Sequence, residues 1–176
     1  FLHYSDLQLV SLIFHELAHQ IVYVQDDTTF NESFAVSVEI EGVNRWLSKY
    51  GLPADKEAWI KGRIRHKDFL SLFSRTREKL SQLYTSSLDD NEKFLEKEKI
   101  IVNLKSDYNT LKKKWMGFEG FDFFVSGSVN NATFVPLLTY WEYVPFFNKL
   151  SASFFTYLSI FLELPFISSI LSQIKL

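Results

Sequence analysis

The sequence predicts a mainly α-helical protein with little or no β-sheet: a helix pair bearing a candidate site, then a long antiparallel helical hairpin. Three observations point there. Successive segments repeat apolar residues at helical spacing between recognisable start and stop signals. Six Gly and four Pro are too few for the many turns of an all-β chain. Residues 54–115 mix Lys and Glu with periodic apolar side chains, as helices wet on one face do. With 176 residues, 47% of them hydrophobic, the chain can bury a real core as a single domain. Its parts would be site helices at 1–52, a hairpin at 53–116, and a loop with apolar C-terminal helices at 117–176.

Ser5 or Asp6 can cap a first helix that runs to about Tyr23. Leu9, Val10, Ile13, Phe14, Leu17, Ile21 and Val22 cover much of its circumference, so deep burial is expected. Gln25 to Thr28 breaks it. A second helix should run from near Thr29 to Tyr50, stopped by Gly51-Leu52-Pro53. A third is expected over 54–87 and a fourth over 90–115, joined by a turn and cap at Ser86-Ser87-Leu88-Asp89. Paired antiparallel, they would set Leu70, Phe73, Leu80 and Leu83 against Phe94, Ile101, Leu104, Tyr108 and Leu111. Gly117 to Asn131 reads as loop or short extended pieces with Phe interleaved, and a short helix should follow from Thr133 to Leu150.

Charge excludes some functions. The net charge is −2, so nothing pulls the whole chain toward nucleic acid. Residues 53–115 hold 15 of the 19 Lys and Arg against 10 of the 21 Asp and Glu. These signs are interleaved and no recognition motif accompanies them, so a solvated helix face is expected and no nucleic-acid partner. No cysteine is present, which rules out disulfides and thiolate metal ligands and leaves the compartment open. Residues 151–174 are long enough to span a bilayer. Glu163, Pro165, Gln173 and several Ser argue instead for a helix pair packed on the core. The first residue is Phe1, not Met, which suggests a fragment or a processed chain.

The main chemical signal is His15-Glu16-Leu17-Ala18-His19. Spacing of i, i+4 sets both imidazoles on one helix face, where they can grip one Zn²⁺ and leave a position open for water. Glu16 can reach that water as general base. An apolar helix rarely turns two His and a Glu inward without a task, because each needs a partner. A catalytic zinc usually takes a third protein ligand. His3 and His66 have no motif around them; Glu32, early in the next helix, is the better candidate. On spacing alone Glu32 serves equally well as the acid of a capping box begun by Thr29. Glu39, two turns further on, suits either an acceptor for a zinc-bound imidazole or a solvated acid beside Glu41.

The run H-E-L-A-H at 15–19, followed by F-N-E-S-F-A at 30–35, resembles the Glu-zincin metallopeptidases. Its Asn-Glu-x-Phe-Ala element is similar to the one that carries the third zinc ligand in aminopeptidase N-like enzymes, where an acid also follows seven residues later. Only 12 residues separate His19 from Glu32, fewer than in that group. The shorter spacing resembles a smaller bacterial family of predicted aminopeptidases. Phe30–Trp46, the hairpin, Val129-Asn130-Asn131-Ala132 and Thr139-Tyr140 are similar to that family's elements, over most of residues 4–150.

The resemblance implies a zincin-like helix pair, one Zn²⁺ held by His15, His19 and Glu32, Glu16 as catalytic base, and a peptide substrate. It favours the ligand reading of Glu32. Tyr140, in the Thr-Tyr element, becomes a candidate donor to the oxyanion; a packing tyrosine beside Trp141 and Tyr143 is the other reading. Asn130 and Asn131 would bind substrate backbone or amine, or simply form a turn. Peptidases of this clan hold substrate against a strand upstream of the active-site helix, so the isolated chain is expected to be weakly active or inactive. A non-catalytic zinc domain and a membrane-associated helical domain are the alternative functions.

Overall fold

The computed structural model describes residues 5–149, apart from the side chains of Pro136 and Leu138. The segment 151–174 therefore lies outside the described residues. The protein is mainly helical, with no strand among the described residues. None of the described helices is long and apolar enough to cross a membrane. The described residues form two compact units, 5–58 with 139–149, and 59–138.

The first unit is built on α1 (Asp6–Ile21) and α2 (Thr28–Tyr50). Ser5 caps α1 in a reciprocal box: its hydroxyl accepts the Gln8 N–H, and Gln8 Oε1 accepts the Ser5 N–H. The helix ends two residues sooner than the sequence suggests, because Val22 is already extended. It is also less deeply buried than expected. Val10, Phe14 and Ala18 form one fully buried stripe at i, i+4, i+8, while Ile21 is exposed. Among the described residues that stripe meets α2 alone in extensive contact.

Small residues let α1 and α2 approach closely. Ala18 and Ala35 are fully buried between them, and Gly42 lies flat against the ring of Phe14. A Cβ at position 42 would overlap three ring carbons of Phe14, whose ring is itself buried and has nowhere to go. Gly42→Ala is therefore expected to destabilise the protein by about 1–3 kcal/mol through overpacking. This outweighs the roughly 1 kcal/mol that Ala gains over Gly in a helix. Denaturant unfolding checks it, and an unchanged or raised midpoint would contradict the close approach.

α7 (Val144–Lys149) completes this unit. Phe147 packs edge-on against Phe30 and Phe34 of α2. The sequence suggested one helix from Thr133 to Leu150; the structure has two, α6 (Asn131–Thr139) and α7, with a break at 140–143. Pro145 accounts for the break. In a continuous helix it would lack a donor for the Trp141 carbonyl and its ring would clash with it, whereas the first turn of a new helix accepts proline.

The second unit holds most of α3 (Pro53–Thr85) with α4 (Asp90–Lys114), α5 (Phe123–Ser126) and α6. Asp89 and Glu92 form the capping box that starts α4. Asp68 accepts from Lys114 and from the Trp115 indole, so the middle of α3 meets the end of α4, as in an antiparallel pair. The core stripe on α3 is Phe69, Leu72, Phe73, Thr76, Leu80 and Leu83. Leu70, expected inward, is only partly buried, since it stands about 100° round the helix from Phe69. Leu111 is likewise partly buried, and Phe94 is exposed. Residues 117–130 are largely loop, as the sequence suggests, with one short helix, α5, set into them; Phe118, Phe121 and Phe124 pack partly buried against the core.

Candidate metal centre

His15 and His19 stand one turn apart near the end of α1, their rings edge to face at 5.1 Å. Both direct Nε2 at one oxygen of Glu32. Glu32 Oε2 lies 3.3 Å from His15 and 3.9 Å from His19. One donor atom from each of the three residues falls within 4.8 Å of the others. Donors bound tetrahedrally to one zinc stand about 3.4 Å apart, so small side-chain adjustments suffice.

The chemistry of the donors fits a cation. Glu32 Oε2 is buried and accepts no hydrogen bond from any described group. A buried carboxylate oxygen without a donor is costly, and so are two imidazole lone pairs aimed at it. A divalent ion between them removes all three costs together. The capping alternative for Glu32 is overturned. Asp27 caps α2 instead, its carboxylate accepting the Phe30 N–H at 2.9 Å, and Thr29 lies inside the helix.

A tight connection makes the short spacing workable. Asn31 is buried and clasps Val24 twice: its Oδ1 accepts the Val24 N–H at 2.8 Å, and its Nδ2 donates to the Val24 carbonyl at 2.7 Å. Asp26 takes a left-handed conformation, which a short polar side chain tolerates. The chain thus reverses within six residues, and Glu32 arrives opposite His15 one turn into α2.

Glu39 lies on the other side of the His15 ring, with Oε2 3.4 Å from Nδ1. The Glu39 carboxylate raises the His15 pKa through this contact. Burial opposes it, and the charges of Glu39, Glu32 and Glu16 add to it. Glu16 is exposed, and its charge reaches both His15 and Tyr140. Tyr140 stacks on His15 with centroids 6.3 Å apart and planes 24° from parallel. Burial raises its pKa, helped by the charges of Glu32 and Glu16.

The structure thus gathers His15, Glu16, His19, Glu32, Glu39 and Tyr140 in one unit. Asn130 and Asn131 belong to the other. There Asn130 Oδ1 accepts the Ala132 N–H at the start of α6, and Asn131 Oδ1 accepts from the Tyr84 hydroxyl. Sequence reasoning passed over Asn31 and Ser33, which flank Glu32. Polar residues set among the apolar ones of the buried face of α2 were the available sign, since each needs a partner.

Residues 1–163 match a family model described as "Putative aminopeptidase". No curated protein and no solved structure matches the chain.

Proposed function

Given that the chain belongs to the putative aminopeptidase family, we propose that it is a zinc-dependent peptidase of the Glu-zincin type, with His15, His19 and Glu32 as ligands to one Zn²⁺. The observation that carries this is the buried Glu32 Oε2, without a hydrogen bond, facing the Nε2 atoms of two imidazoles. Zinc bound there would polarise a scissile carbonyl and bring the pKa of its water to about 7.

The chain's own residues do the rest. Glu39 accepts the Nδ1 proton of His15, which fixes the tautomer that leaves the Nε2 lone pair for the ion. Glu16 takes the proton from the attacking water and later delivers it to the leaving amine. Its exposure suits that task, because the carboxylate must reach both water and substrate. The Tyr140 hydroxyl donates to the oxygen on which charge develops. A phenol holds that proton at neutral pH, and the charges around Tyr140 favour the protonated form further.

The test is metal stoichiometry combined with peptide hydrolysis, on the protein expressed from its full reading frame. One zinc per chain is expected, with hydrolysis of aminoacyl or peptide substrates lost on chelation and restored by zinc. Hydrolysis that survives complete metal removal, or a chain that takes up no zinc at micromolar concentration, would overturn the reading.

A further inference from the structure

One hydroxyl of α2 binds both ends of the segment that carries Tyr140. Ser33 is fully buried and directly follows Glu32. Its Oγ accepts the N–H of Tyr143 at 3.1 Å and donates to the carbonyl of Thr139 at 3.3 Å. Thr139 is the last residue of α6, and Tyr143 immediately precedes α7. Helix ends leave carbonyls and N–H groups without intrahelical partners. Here one side chain serves an end of each helix, using its donor and an acceptor position together. Tyr140 lies between these two anchor points. The Ser33 carbonyl is itself engaged by the Ser37 hydroxyl at 2.8 Å, one turn along α2.

We propose that Ser33 is a positioning residue: it fixes segment 139–143 to the helix that supplies Glu32, and so sets the Tyr140 hydroxyl over the metal centre. The inference rests on the reading of Tyr140 as oxyanion donor. Its physical basis is adjacency. Glu32 and Ser33 are consecutive on a rigid helix, so the ligand and the anchor of the donor move as one body. Hydrophobic packing of α7 fixes Phe147 on α2, and the two Ser33 hydrogen bonds extend that attachment to both ends of the turn before α7. Apolar replacement at position 33 leaves a carbonyl and an N–H without this partner. Threonine keeps the hydroxyl.

Two measurements test it, both on the protein expressed from its full reading frame. The first is amide exchange by NMR on metal-free protein. Ser33→Ala is expected to speed exchange at Tyr143 by at least about tenfold, as a locally opened segment does, while α2 amides from Phe34 to Leu47 keep their protection. Ser33→Thr is expected to restore protection at Tyr143. Unchanged exchange at Tyr143, or a rise spread evenly over α2, overturns the proposal. The second is a double-mutant cycle in kcat on zinc-loaded protein. Ser33→Ala and Tyr140→Phe should each lower kcat by about ten- to a hundredfold with little change in KM, and the double variant should fall no lower than the worse single. Additive losses break the link to Tyr140. Absence of hydrolysis by the unaltered protein would sink the peptidase reading, and exchange at Tyr143 would still decide the clamp. If Ser33→Ala does not fold, Ser33→Cys, which is slightly larger, fills the site, weakens both hydrogen bonds, and goes through the same two measurements.

Discussion

Replacing Glu16 with Gln is expected to cut peptide hydrolysis by about a thousandfold or more in kcat while zinc stays bound. Glu16 neighbours the proposed ligand His15 but contributes no donor to the cluster formed by His15, His19 and Glu32. Glutamine keeps the size and the hydrogen-bonding reach of the side chain and loses only the capacity to accept a proton. A thousandfold loss corresponds to about 4 kcal/mol of transition-state stabilisation, within the range of general-base catalysis. The measurement pairs kcat on a peptide substrate with zinc content after dialysis. A variant that retains full turnover removes Glu16 as the base. One that loses zinc together with activity shows that the carboxylate belongs to the ligand set instead.

Glu32→Ala should have the second large effect, with the opposite signature. Zinc affinity is expected to fall by about a hundredfold or more, given that a complete structural zinc site is worth roughly 10–16 kcal/mol shared among its ligands. Activity follows the metal, and raised zinc concentration restores it only in part. The metal-free protein should hardly notice. Glu32 Oε2 receives no hydrogen bond within the described residues, so removing this carboxylate takes away a buried charge along with its contacts. The thermal midpoint without metal is expected to stay within a few degrees of the parent or rise, as happens when a residue kept for function at a cost in stability is removed. Asp27→Ala is the control for the capping alternative. It should cost about 1 kcal/mol of stability and leave zinc affinity alone. A large fall in metal-free stability for Glu32→Ala with unchanged zinc binding would make Glu32 a structural acid.

Much of the architecture follows from local rules. The cap at Ser5, one of the two residues the sequence offers, the turn and cap at Asp89, and the stop at Gly51 each depend on a few neighbouring residues, and each stands where the sequence allows it. Misreadings arise where distant packing decides. Phe94 carries an apolar side chain at helical spacing from Ile101, yet it is exposed, because a stripe is buried only as far as its partner helix covers it. One turn of helix, α5, is set into the loop after Gly117 where three Phe residues dock on one core, a fact that composition alone does not contain.

The site divides in the same way. That His15 and His19 share a face, with Glu16 beside the first, was determined by the sequence alone, since 3.6 residues per turn leaves no choice once the segment is helical. Three further features were decided only by the tertiary structure: Glu32 meeting the two imidazoles rather than capping its own helix, Glu39 reaching Nδ1, and Tyr140 stacking on His15. The first two require α1 and α2 to pack antiparallel at close range, which Gly42 and Phe14 permit. The last depends on Ser33 binding a segment 110 residues away. A helix face is a property of consecutive residues. A contact between faces depends on how both surfaces fill space, and no spacing along the chain records it.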